Sequence, residues 1–212
     1  MYGMGAVGPT GDAFTGELQL LKRRGCILLV VGPGAGTTRC NDLLGGDEQN
    51  RERLVVDARH GLENRPGNDS RFVRVGGEEM RSATAASSDS GGESLFETLD
   101  LDAVADELET RIDRTDLEAL DPGELRVCLG DLGALGSDRS AELVAFVETV
   151  GDRIREASGM GHAHLPDTSP LRATIEPLFD VTIEVRPVPE GRQQRWLLHE
   201  ADLDSGWIPV DD

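Results

Sequence analysis

Residues 26–31 read CILLVV and residues 32–38 read GPGAGTT. Six consecutive apolar residues, three of them β-branched, have the length of a strand but lack the alternation of a half-exposed one. Such a strand is covered on both faces, as in the centre of a sheet with helices above and below. The glycine-rich stretch suits a tight turn, and Thr37 to Leu44 can open a helix behind it. Strand, glycine turn and helix in that order turn backbone N–H groups inward at a helix N-terminus, where partial positive charge collects. This is the geometry of an anion cradle.

Upstream, Glu17 to Arg24 (ELQLLKRR) has helical composition and stops at Gly25, while residues 1–16 are small, glycine-rich and expected to be flexible. Downstream, Arg53 to Asp57 forms a second short strand. Arg71 to Val75 forms a third, at an edge because apolar and charged residues alternate. Residues 79–94 are small, polar and turn-rich, and are expected to form a disordered loop. Leu101, Val104, Leu108 and Ile112 give 95–114 a helical period, and Leu125 to Leu129 (LRVCL) is a buried strand leading into Gly130-Asp131. Ser140 to Ala157 is the clearest amphipathic helix, with Leu143, Val144, Val147, Val150 and Ile154 on one face. A strand at Gly161 to Leu165 and a helix at Ser169 to Leu178 precede two alternating segments, Asp180 to Arg186 and Gln193 to His199. These flank a Pro-Glu-Gly turn and form an antiparallel hairpin. Trp207, Ile208 and Val210 tie down the acidic tail. The expectation is a single α/β domain over 17–212, a three-layer sandwich with a mostly parallel sheet and a C-terminal antiparallel hairpin.

The 212 residues include 40 acidic and 21 basic side chains, for a net charge of −19, and Lys22 is the only lysine. A field of that sign opposes encounter with nucleic-acid phosphates and with anionic lipid headgroups. A surface of Asp, Glu and Arg holds water where its activity is low, and molar salt screens the self-repulsion, which points to a haloarchaeal, salt-in cytosol. Nothing in residues 1–16 resembles a secretory signal, and the longest apolar run is far short of the roughly 20 residues of a membrane span. A cytoplasmic protein with no membrane partner is expected. The three cysteines, Cys26, Cys40 and Cys128, have no CxxC spacing, and neither a disulfide nor a zinc site is expected from them. His162 and His164 share one face of a strand and would make half a metal site. With no third ligand placed, they are assigned to a surface or sheet edge, and no metal is expected. His60 and His199 stand alone.

The turn at 32–38 admits two ligand readings besides that of a plain strand-to-helix turn. As a P-loop it is one residue short between Gly32 and Gly36, and Thr37 stands where lysine belongs, with Thr38 able to supply the Mg²⁺-binding hydroxyl. As a dinucleotide fingerprint it matches at Gly32 and Gly34 but has Thr37 at the third glycine, with Asp57 suited to a ribose. Asp131, just beyond a buried strand, favours the P-loop, since a carboxylate there holds the hydration shell of Mg²⁺.

These segments carry a family resemblance. Leu54 to Leu62 (LVVDARHGL) is similar to the strand of RecA-type ATPases that ends in Asp-Ala-Glu, and Leu129 to Leu135 (LGDLGAL) resembles their Walker B segment. More broadly, the chain from Glu17 resembles a haloarchaeal family of RecA/KaiC-like, transducer-like (Htr-like) proteins. LKRRG-CILLVVGP, LRVCLGDL, Pro177 to Asp180 and the stretch from Gln194 to Trp207 carry the likeness. The resemblance implies a RecA/KaiC-like sheet, side-by-side homo-oligomers or a protein partner, and either no cofactor, the nucleotide having been lost altogether, or ATP with Mg²⁺. The nucleotide would lie at Gly32, Gly34, Gly36, Thr37 and Thr38, with Asp131 near the metal. Arg59 replaces the family's water-polarising glutamate, and a guanidinium is no base. With Thr37 in place of the lysine as well, phosphoryl transfer loses both charge neutralisation and water positioning. The resemblance therefore implies a non-hydrolytic regulatory or signalling module with no catalytic residue. The alternatives are a weak Mg²⁺-dependent ATPase using Thr38, Asp131 and Arg39, and, third, a nicotinamide oxidoreductase. The basic motif that KaiC-like proteins direct at a neighbour's nucleotide has only Arg192 and Arg195 as counterparts.

Overall fold

A computed structural model describes residues 9–33, 40, 43–45, 51–56, 72–75, 100–136 and 139–210. Gly34, Gly36, Thr37, Thr38, Arg39, Asp57, Arg59, His60 and the 79–94 segment lie outside them. Strand β1 (Cys26–Val31) is buried at every residue, as an uninterrupted apolar run requires. It pairs in parallel with β5 (Met160–Leu165) on one side and β6 (Val181–Val188) on the other. Beyond β5 lie β4 (Leu125–Asp131), β2 (Glu52–Val56) and β3 (Phe72–Val75), all parallel, with β3 at the end as its alternation predicts. Beyond β6 the sheet turns antiparallel through β7 (Gly191–Leu198), which carries two short outer strands, β8 (Leu203–Asp204) and β9 (Ile208–Val210). The strand order is β3-β2-β4-β5-β1-β6-β7-β8, with β9 also on β7. The molecule is thus α/β, mostly parallel, with the C-terminal hairpin where alternation placed it.

Alternate residues of β1 face two different cores. Ile27, Leu29 and Val31 join Leu54, Val127, Leu129 and Leu165 under helices α2 (Leu101–Arg114) and α4 (Ser140–Glu156), which contribute Leu108, Ile112, Phe146, Val147 and Ile154. Asp100 caps α2, its Oδ1 accepting from the N–H groups of Asp102 and Ala103 at 3.1 and 3.2 Å. The short helix α3 (Leu132–Gly136) leads from β4 towards α4. On the opposite face, Cys26, Leu28 and Val30 meet Val181, Ile183 and Val185 beneath α1 (Pro9–Arg24).

Helix α1 begins at Pro9, eight residues before the expected start and inside the segment expected to be flexible. Gly11 and Gly16 weaken the local signal, but Phe14, Leu18 and Leu21 recur at helical spacing and pack on that second core. Conversely, the helix expected over 169–178 is reduced to α5 (Arg172–Ile175) and a 3₁₀ turn at Glu176–Leu178. Pro177 has no N–H to continue the α-helical ladder. Arg186 stacks over Trp207 at 3.8 Å, and β9 pairs with β7, so the tail is anchored as anticipated. Among the described residues, no helix is long and apolar enough to cross a membrane.

Asp180 joins three elements. Its Oδ2 accepts from the Ile27 N–H at 2.8 Å and from Arg155 Nε at 3.1 Å, while Arg155 Nη2 donates to the Leu178 carbonyl at 2.9 Å. The Asp180 N–H donates to the Ile27 carbonyl at 3.0 Å. The ladder between β1 and β6 is thereby extended by a side chain one residue before β6 begins.

A second ion-pair group gives a pH prediction. Arg172 grips Glu176 with Nε at 3.0 Å and Nη2 at 3.2 Å, and donates to Glu184 at 2.6 Å. Burial pushes the Glu176 carboxyl up, but Arg172 and Thr182 outweigh it and hold the group below its ordinary 4.5. A depressed carboxylate contributes stability that is complete above its unfolded value and is lost as pH falls through the folded one. Denaturant midpoints measured between pH 7 and pH 3 should therefore fall below about pH 4.5, and Glu176→Gln should make that fall shallower. An unchanged slope in the variant would show that Glu176 is not among the groups responsible.

Candidate functional site

Two of the six expected nucleotide-site residues are described, and both stand at the carboxyl edge of the parallel strands. Gly32 follows β1 directly, its N–H donating to the Leu165 carbonyl at 3.2 Å. A Cβ at this position would lie 2.4 Å from the Val185 carbonyl oxygen, so only glycine lets the chain pass β6 this closely. Asp131 closes β4, two strands away, with β5 between them. Its Oδ1 accepts from the Gly133 and Ala134 N–H groups at 3.0 and 3.4 Å and so caps the start of α3. Gly130, at φ +74°, takes the left-handed turn where the β4–β5 register shifts between Cys128 and Asp131. Gly34, Gly36, Thr37 and Thr38 lie outside the described residues.

The connections leaving this edge part to opposite faces. Leu132, after β4, enters the core under α2 and α4. Cys40 and Leu44, which follow β1 and are helical, pack instead with Val55 and Cys128 on the other face. Ligands of open α/β sheets bind at such a parting of the chain.

Behind the edge lies a constellation that local sequence spacing does not show. Cys40, Cys128, His162 and His164 are all buried, and their potential ligand atoms lie within 4.8 Å of one another. Register explains the convergence. Cys128 on β4 pairs with His162 on β5, His164 follows two residues later on the same face, and Cys40 descends from the helical segment above. The Cys40 and Cys128 sulfurs are 2.8 Å apart and reduced, and the imidazole rings meet edge to face at 5.2 Å. His162 and His164 are each 2% exposed, on an interior strand. The expectation of a surface or sheet-edge role is therefore corrected, and so is the expectation that no metal-ligand set would assemble. The face they share carries Cys128 as well, and Cys40, packed on Cys128, brings the fourth candidate ligand.

The electrostatics of the cluster are unlike those of an ordinary core. The hydrogen bond between Cys40 and Cys128, opposed by burial and aided by the imidazoles, holds the Cys40 thiol far below the usual thiol range. Cys26, also buried but outside the cluster, is pushed up to about 12 by desolvation. Burial lowers His162 and so favours the neutral ring. His162 Nε2 and both nitrogens of His164 are buried without a hydrogen-bond partner. Further along the same face, Arg53 and Arg126 are opposite each other on β2 and β4, both buried. Desolvation brings Arg126 down to about 10. One face of the sheet therefore turns polar between β2 and β5, where Arg53, Arg126, His162 and His164 are buried.

Compared with known proteins, the chain matches no curated one. A family model does match, over residues 25–185, from the residue before β1 to Val185 near the end of β6. That span contains all the parallel strand pairings, the carboxyl edge with Gly32 and Asp131, and all four residues of the Cys/His cluster. The chain belongs to this family, which is described as a family of unknown function, DUF7504.

Proposed function

We propose that the chain is a degenerate RecA/KaiC-like module of a halophilic archaeon, a cytoplasmic regulatory or signalling protein that does not turn ATP over. The observation that carries this reading is the placement of Gly32 and Asp131 at the carboxyl edge of parallel strands, where the outgoing connections part to opposite faces. A ligand site there would use the turn at Gly32, Gly34, Gly36, Thr37 and Thr38, with Asp131 towards Mg²⁺. Non-hydrolysis follows from the chemistry of Thr37 and Arg59, which supply neither the phosphate-binding cation nor the base. A protein partner or a second copy of the chain would read the bound state.

The test is equilibrium binding of ATP with Mg²⁺ in molar KCl, followed by a phosphate-release assay on the same preparation. Saturable binding without release is expected, and Asp131→Asn, which keeps an oxygen for the α3 cap, should weaken the Mg²⁺-dependent part of the affinity. Steady release that disappears in Asp131→Asn would replace this reading with the weak Mg²⁺-dependent ATPase. Absence of binding would leave a protein-interaction module without nucleotide.

A further inference from the structure

We propose that Cys40, Cys128, His162 and His164 form a closed tetrahedral site for one transition-metal ion, Zn²⁺ by donor chemistry, which fastens the chain at Cys40 to the sheet. The inference does not depend on nucleotide binding.

Three independent observations converge. The donor set is two sulfurs and two imidazoles with no carboxylate, the composition that selects Zn²⁺ over Mg²⁺ or Ca²⁺. All four residues are buried, which matches a structural site with every position filled by protein rather than a catalytic one open to water. Three ring nitrogens are buried without a hydrogen-bond partner, and a buried polar group left unsatisfied is costly. An ion takes one nitrogen from each ring and both sulfurs at once.

The dimensions agree. With Zn–S near 2.3 Å and Zn–N near 2.0–2.1 Å, tetrahedral ligand atoms stand roughly 3.3–3.8 Å apart. The four residues already bring theirs within 4.8 Å of one another. The sulfurs, at 2.8 Å, need to separate by about 1 Å to bracket an ion. Binding releases the thiol protons to solvent, and the two thiolates and the neutral rings complete the shell, with no change of oxidation state.

Three of the ligands belong to strands β4 and β5, which are held by hydrogen bonds on both sides. Cys40 is the fourth, two residues beyond Thr38. The ion would therefore fix the chain at Cys40 relative to the carboxyl edge, and its binding free energy would add to the stability of the folded state.

The experiment is done on the full chain in molar KCl. Protein purified with Zn²⁺ supplied and then gel-filtered is assayed for metal, and chelated protein is titrated with Co²⁺ and followed by absorbance. One equivalent of Zn²⁺ per chain is expected. The Co²⁺ form should show the intense visible bands of a tetrahedral ion together with thiolate-to-cobalt charge transfer in the near ultraviolet. Cys128→Ser and His164→Gln should each lower retained metal at least tenfold, while Cys26→Ser retains it. The Co²⁺ spectrum of the unaltered chain guards against variants that fail to fold. Metal retained equally by the ligand variants would mark adventitious binding by the acidic surface and overturn the proposal. So would a folded, reduced chain with no cobalt spectrum, or a Cys40–Cys128 disulfide whose reduction restores no metal binding.

Discussion

Gly32→Ala should lower the unfolding free energy by about 3 kcal/mol, because the added methyl has nowhere to go. Its carbon would sit 2.4 Å from the Val185 carbonyl oxygen and 3.1 Å from Val185 Cβ. The obstacle is backbone in the middle of the sheet, paired to β7 and belonging to a strand that also pairs with β1, so it cannot swing aside as a long side chain would. Relief requires β1 and β6 to part at their carboxyl ends, which strains the bond from the Gly32 N–H to Leu165. The measurement is a denaturant titration in molar KCl, with a lower midpoint and an unchanged slope as the expected result. Gly16→Ala serves as the control. Among the described residues, nothing beyond its chain neighbours and its own helix backbone lies within 4 Å of a Cβ built there, and exchange should gain up to about 1 kcal/mol. A Gly32→Ala variant within about 0.5 kcal/mol of the parent would refute the close-approach argument.

Asp180→Ala should cost a similar amount, about 3 kcal/mol, by a different route. The substitution leaves the Ile27 N–H without an acceptor inside a fully buried strand and removes one of the two carboxylates, Asp180 and Asp152, that pair with the Arg155 guanidinium. An orphaned buried N–H costs about 1–3 kcal/mol. The ion-pair part is smaller than for a deeply buried pair, because the Asp180 and Arg155 side chains are 18% and 28% exposed. Asp180→Asn keeps an oxygen for Ile27 but loses the charge, so it should recover about half of the deficit. Urea titrations of the three forms will check the order parent, Asn, Ala. Equal losses in Asn and Ala would mean that the charge alone matters, and equal stability in all three would remove Asp180 from the account of how β1, β6 and α4 are joined.

Features written in a short window were legible from the sequence. CILLVV could be nothing but an interior strand, and the spacing of Leu143, Val147, Val150 and Ile154 gave the buried stripe of α4 directly. Alternation on both sides of Pro189-Glu190-Gly191 gave the hairpin. Two local signals misled: Gly11 and Gly16 concealed the first half of α1, and Pro177 cut short the helix before β6. The Cys/His cluster was hidden for another reason. Cys40 and Cys128 are 88 positions apart, and no local period reports that they meet. The alternation of His162 and His164 did show a shared face. Whether that face was wet or dry depended on strand order and on what packs above it. The one usable clue was Cys128 in an apolar strand, whose partner in register is His162.

The far side of the hairpin has a consequence for assembly. Among the described residues, the sheet beyond β7 presents β8, of two residues, and β9, of three, the latter with Pro209 at its centre opposite Gln193. A proline offers no N–H to an arriving strand, and segments this short give a foreign chain almost no template. Growth of the sheet from one molecule into the next by backbone pairing is disfavoured along these two short strands. Association along that flank falls instead to side chains, where salt and sequence can govern it.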